Sequence, residues 1–77
     1  MKIQILGSGC AKCNALEQNA REALAESTLT GKIEKVTDVN EIIDMGVMVT
    51  PALVINGDVK SSGKVLSKED ILNIISE

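Results

Sequence analysis

The sequence predicts an α/β fold of order β-α-β-α-β-β-α, a mixed four-stranded sheet flanked by helices on both faces. Three observations carry that expectation. An apolar segment, Ile3-Gln4-Ile5-Leu6, passes through Gly7-Ser8-Gly9 into a helical pattern. A second strand-like segment follows that helix, so the first three elements make a βαβ unit, parallel and right-handed by the general rule for such crossovers. Near the C-terminus, Asn56-Gly57 separates two short strand-like runs and a last helical pattern follows.

Each element has its own signal. Residues 1–6 read as a buried strand. Residues 11–27 read as a helix, because Leu16, Ala20, Ala23 and Leu24 recur at helical spacing while Glu17, Arg21, Glu22 and Glu26 mark the opposite, solvent face. That helix ends near Ser27-Thr28, and Gly31 punctuates the loop. Ile33 to Val39 alternates apolar and polar residues as a strand does. Asp38 or Asn40 can cap a short helix over Glu41 to Met45 by accepting an orphan N–H, and Gly46 closes it. Ala52-Leu53-Val54-Ile55 is a strand. Asn56-Gly57 suits a two-residue turn with positive φ at both positions, and Asp58 to Ser62 returns antiparallel. Ser67 caps the last helix, with Asp70 three residues on as an approximate capping box. Ile71, Leu72, Ile74 and Ile75 supply its apolar face.

Composition narrows the function. With 77 residues the chain allows a single domain over 1–77 with a modest core. No stretch approaches the ~20 apolar residues of a membrane span, and Met1 to Leu6 is too short for a signal peptide, so a cytoplasmic protein without membrane association is expected. Net charge is −3, charges of both signs are interspersed, and Phe, Tyr and Trp are absent. Nucleic-acid binding calls for phosphate-neutralising cations and stacking rings, and neither is present as a patch. The core must be filled by Ile, Val, Leu, Met and Ala, which can still pack closely.

Cys10-Ala11-Lys12-Cys13 is the chemical signal. Under reducing conditions a CxxC pair points to redox cycling or metal binding rather than a structural staple. A thiol becomes a strong nucleophile on losing its proton. Orphan N–H groups and the macrodipole at a helix start stabilise the thiolate, so the pKa of Cys10 should fall below the free value of ~8.5. Lys12 adds a nearby positive charge, and Gly7 and Gly9 leave the approach to Cys10 open. On this reading Cys10 would attack a substrate disulfide, and Cys13, about one turn deeper, would displace the reduced substrate. The two-residue spacing, Ala11-Lys12, brings both sulfurs within bonding reach.

Other readings of these residues carry less. Cysteines are commonly core fillers, but the CxxC spacing between a strand and a helix argues against that here. Gly7-Ser8-Gly9 is not a phosphate loop, since GxGxxG would need Gly where Lys12 stands and no Gly-Lys-Ser/Thr follows. Met45 and Met48 could offer thioethers to a soft metal, although packing is the ordinary use of Met. A Cu(I) or Zn carrier would use the same two thiolates, yet the chain has no His and no third Cys to complete a tetrahedral site. A non-catalytic interaction module is the third class.

Gly7-Ser8-Gly9-Cys10-Ala11-Lys12-Cys13, Gly46-Val47-Met48-Val49-Thr50-Pro51-Ala52-Leu53-Val54-Ile55-Asn56-Gly57 and Ser61-Ser62-Gly63-Lys64 together resemble the small thioredoxin-like "redox-active disulfide protein" family of archaea and bacteria. The resemblance covers nearly the whole length. It implies a minimal thioredoxin/glutaredoxin-like fold and thiol–disulfide exchange, with Cys10 as nucleophile and Cys13 as resolving thiol. It further implies that Thr50 presents its backbone to an extended substrate segment, that Pro51 is cis, and that Ser62 and Gly63 flank the site. An ordinary trans-proline opening an edge strand is the alternative at Pro51. Expected partners are disulfide-containing proteins and a dithiol reductase. The expected state is a monomer, with no cofactor or metal beyond the Cys10–Cys13 pair itself. Larger thioredoxins carry Trp before the first cysteine and Gly-Pro between the two, where this chain has Gly9 and Ala11-Lys12. They bury an Asp where this chain has Gln4, so the sequence offers no carboxylate base for Cys13.

Overall fold

A computed structural model describes residues 1–7, 9, 11–27 and 30–76. The elements run β1 (Lys2–Leu6), α1 (Ala11–Glu26), β2 (Lys32–Val36), α2 (Val39–Asp44), β3 (Ala52–Ile55), β4 (Asp58–Ser62) and α3 (Lys68–Ile75). The sheet order is β2-β1-β3-β4. β1 pairs parallel with β2 from Lys2↔Lys32 to Leu6↔Val36. β1 pairs antiparallel with β3, and β3 with β4. The expected α/β architecture is the one observed, a mixed four-stranded sheet flanked by helices.

The period-two alternation of the central strands builds two cores, one on each face of the sheet. Ile3, Ile5, Leu53 and Ile55 point to the face covered by Leu16, Ala20 and Ala23 of α1 and by Ile71 and Ile75 of α3. Leu6, Val36, Ala52 and Val54 point the other way, against Ile42 of α2 and Val47. Burying each large aliphatic side chain contributes about 1.5–3 kcal/mol, whereas a surface ion pair contributes about 0–1 kcal/mol, so these clusters hold the fold. Among the described residues, no polar or charged residue is buried. No described helix is long and apolar enough to cross a membrane.

The third expected element is shorter than its alternation implies. β2 stops at Val36 rather than Val39 because its partner stops at Leu6, and the last ladder bond is Gly7 N–H to Val36 O at 2.9 Å. The chain then turns through Asp38, whose extended backbone and side chain cap α2, with Oδ1 accepting from Asn40 N–H at 2.8 Å. So Val39 opens a helix instead of ending a strand, and α2 spans Val39–Asp44 rather than Glu41 to Met45. Gly46, at φ 84°, closes it as expected, donating to Ile43 O at 2.9 Å.

Other boundaries move by a residue. β1 begins at Lys2, and α1 ends at Glu26; the expected end at Thr28 lies outside the described residues. Glu17, assigned to the open solvent face of α1, has a side chain only 15% exposed, held between Arg21 at 2.8 Å and Lys35 at 3.2 Å. The hairpin turn has positive φ at both Asn56 (52°) and Gly57 (88°), as a type I′ turn requires. Asn56 also grips β1, donating its N–H to Lys2 O and accepting Lys2 N–H on Oδ1. A bulge in β4 places Ser61 opposite Leu53 but Val59 opposite Val54, with Lys60 between them. Ser67 Oγ accepts from Asp70 N–H at 3.1 Å and starts α3.

Candidate functional site

The sheet carries the site on one end. β1 runs toward Gly7, β3 starts just after Pro51, and β4 ends at Ser62, so the loops joined to these strand ends meet there. Cys10 lies outside the described residues; in sequence it stands one position before Ala11, the first residue of α1. Ala11 and Lys12 are exposed on the first turn, whereas Cys13 is turned inward and only 1% exposed. That division follows from helical period: Cys13 shares the inner face with Leu16 and Ala20.

Gly9 enters the helix at φ 88°, a left-handed conformation that favours glycine, and its carbonyl accepts from Asn14 Nδ2 at 3.4 Å. The first turn of α1 carries no acidic residue. The partial positive charge of its orphan N–H groups is therefore not neutralised by a carboxylate of the helix's own first turn.

Opposite Cys13 lies the loop before β3. The Thr50–Pro51 peptide bond is cis. Pro51 is buried and Thr50 exposed. Gly63 N–H donates to Pro51 O at 2.8 Å, and Ser62 pairs with Ala52, so the end of β4 braces this loop. Gly7 lies between the two halves. A β-carbon built on it would overlap Cys13 Sγ and stand 3.8 Å from Thr50 Cβ. The structure thus brings Cys13, Thr50, Pro51, Ser62 and Gly63 to one end of the sheet. Gly9, Ala11 and Lys12 lie on the exposed rim of the first turn.

Two expectations are amended. The expected opening at Cys10 lies outside the described residues, and Gly7 is in addition buried against Cys13. Its place at a strand end signals a turn in the sequence, but only the fold shows which side chain fills the space above it. Met48 is 91% exposed and packs into neither core, while Met45 packs partly against the α2 cluster. Met48 and the half-exposed Val49 present apolar surface beside Thr50, a feature that sequence pattern alone does not separate from core. Among the described residues, no group of three His, Cys, Asp or Glu side chains is placed to hold a metal ion.

The comparisons with known proteins agree with this fold. A family model described as "Thioredoxin domain" matches residues 1–76. A curated protein named "Thioredoxin" from Methanothermobacter thermautotrophicus is 45% identical over 76 residues, covering 99% of each chain. Another protein named "Thioredoxin", from Methanocaldococcus jannaschii, is 42% identical over 69 residues, covering 90% of this chain and 79% of its own. Nearly full-length agreement in sequence, with helices on both faces of a mixed four-stranded sheet, leads to one assignment: this chain belongs to the thioredoxin domain family.

Proposed function

We propose that this chain is a thiol–disulfide oxidoreductase that cycles Cys10 and Cys13 between dithiol and disulfide. The observation that carries the reading is the placement of Cys13, three residues after a second cysteine, buried in the first turn of α1 and facing the Thr50–Pro51 loop across Gly7. Membership in the thioredoxin family supports redox chemistry of this kind.

Cys10, as thiolate, attacks one sulfur of a substrate disulfide. A Cys10–substrate S–S bond forms, the substrate S–S bond breaks, and one substrate thiolate leaves. Cys13 then loses its proton and attacks Cys10 Sγ, closing Cys10–Cys13 and releasing the second substrate thiolate. Two electrons pass from the dithiol to the substrate. Larger thioredoxins carry a buried Asp where this chain has Gln4, so here the proton of Cys13 passes to water or to the departing thiolate. Thr50 offers its backbone to an extended substrate segment, with Ser62 and Gly63 on the flank, while Lys12, Gly9 and Ala11 frame the approach to Cys10. The partners are disulfide-bearing proteins in the cytoplasm and a dithiol reductase that restores the pair. The dithiol itself is the redox group.

The test is a redox titration of the chain with mass readout. A single two-electron transition, with loss of two hydrogens that Cys10→Ser or Cys13→Ser abolishes, is the expected result. Tight Cu(I) binding without that transition would overturn the reading in favour of a soft-metal carrier.

A further inference from the structure

Asp38, Glu41 and Asp44, the cap and body of α2, carry the whole net charge of the chain, because the remaining eight carboxylates match its eight Lys and Arg. No Lys or Arg stands between Val36 and Val59. The ion pairs of the described residues all lie elsewhere, so these three carboxylates are uncompensated. The same stretch concentrates exposed apolar surface. Of the six large apolar side chains exposed among the described residues, Val39, Ile43, Met48 and Val49 fall here, Met48 the most open. Val39 and Ile43, four apart, share a side of α2, while Ile42 is buried in the core beneath. The apolar face of α2 is therefore wider than the part the core covers. At its end Val47 N–H donates to Ile42 O at 3.2 Å, folding the chain back so that Met48 and Val49 lead from the helix to Thr50.

We propose that Val39, Ile43, Met48 and Val49, with the carboxylates of Asp38, Glu41 and Asp44, form a docking surface for a protein partner whose apolar side chains are flanked by Lys or Arg, and that this surface delivers the partner's disulfide to Thr50. Charge complementarity selects that occupant. Burial of the apolar side chains supplies affinity. The carboxylates speed encounter with a cationic surface and oppose a second copy of this same face, which would set like charges together. Delivery rests on the dithiol exchange proposed above; docking does not.

Three synthetic peptides without cysteine serve as probes, one of Lys and Leu, one of Lys and Ser, and one of Glu and Leu. Fluorescence anisotropy measures their affinity, and amide NMR shifts locate the contact. The Lys/Leu peptide should bind at least tenfold more tightly than either of the others, weaken as salt rises, and shift residues 39–49. Val39→Ser with Ile43→Ser, and separately Glu41→Gln with Asp44→Asn, should each weaken it at least fivefold. Equal affinity for all three peptides, or shifts centred elsewhere, overturns the proposal. Self-association of the free chain that Val39→Ser with Ile43→Ser abolishes also overturns it, and assigns the face to a second copy. The same peptides closed by an internal disulfide test delivery. The dithiol gives up two electrons and two protons; its own disulfide closes as the peptide disulfide opens. Reduction rates should rank as the affinities do. Equal rates with the binding order intact overturn delivery alone. Failure to reduce any peptide defeats the exchange reading, and the binding order still decides docking.

Discussion

Gly63 N–H donates to the carbonyl of Pro51 at 2.8 Å, tying the turn after β4 to the loop that carries Thr50. The bond depends on backbone conformation, because Gly63 has φ 73°. A β-carbon there would also lie 2.8 Å from Val49 Cγ1. Val49 is half exposed and its methyl can swing outward, so the backbone term decides the cost. Gly63→Ala should destabilise the chain by about 1–2 kcal/mol, the usual penalty for a side chain in the left-handed region. Gly63→Asn should cost less, since Asn tolerates that region better. Urea unfolding of both variants measures the difference. Equal stability of Gly63→Ala and the unsubstituted chain would show that the turn can adopt another conformation without penalty.

Thiol reactivity should divide sharply between the two cysteines. Cys13 is 1% exposed, and an alkylating reagent must open the helix start to reach it. Cys10 stands before a helix whose first turn carries no acidic residue to oppose a thiolate. In the reduced chain, iodoacetamide near neutral pH should modify Cys10 in Cys13→Ser at least tenfold faster than Cys13 in Cys10→Ser. Faster reaction at Cys13 would reverse the assigned roles of nucleophile and resolving thiol.

Much of this architecture is legible in residue pattern, and the exceptions have physical causes. Asn56-Gly57 announces its turn because few residues accept positive φ. Ser67 announces α3 because its hydroxyl satisfies an orphan N–H. The end of β2 is not legible, because apolar alternation continues to Val39 while pairing stops where β1 stops, at Leu6. Strand length is a property of the partner as much as of the strand. The bulge at Lys60 is hidden for the same reason: it exists only in register against β3. At the site, Cys13 and Thr50-Pro51 stand out in sequence, but their contact through Gly7 does not. A glycine chosen for space looks the same as one chosen for conformation until its φ and neighbours are known.

The junction of α1 and α3 should dominate stability. Leu16 and Ile71 are both fully buried in the cluster these helices share over β1 and β3. Asn19 Nδ2 adds a bond to Leu66 O at 2.8 Å, fixing the lead-in to α3. Leu16→Ala or Ile71→Ala should each cost about 2–5 kcal/mol, through lost transfer energy and the cavity left behind. Lys2→Ala, which removes the exposed Lys2–Glu34 pair at 3.3 Å, should cost far less. Chemical denaturation of the three variants orders them. A Lys2→Ala effect as large as that of Ile71→Ala would mean that the sheet edge, not the helix layer, limits unfolding.

Acid should weaken the chain partly through Glu17. Arg21 donates to its carboxylate from Nε and from Nη2, the latter at 2.8 Å, and this holds the pKa below the ordinary 4.5. Partial burial pushes the other way, and Lys35 at 3.2 Å adds to the lowering. A carboxyl with a depressed folded-state pKa stabilises the fold fully above its unfolded value. That contribution is lost as pH falls through the folded value. Glu17→Gln should therefore be less stable than the unsubstituted chain at neutral pH. The gap should begin to close near pH 4.5, the ordinary value, and vanish at lower pH once Glu17 is protonated. Because the partner cations are about half exposed, Arg21 at 55% and Lys35 at 43%, added salt should narrow the gap at neutral pH as well. Unfolding free energies of both chains measured from neutral to acid pH provide the check. A gap that stays constant through this range would show that the carboxylate charge of Glu17 is not what separates the two chains.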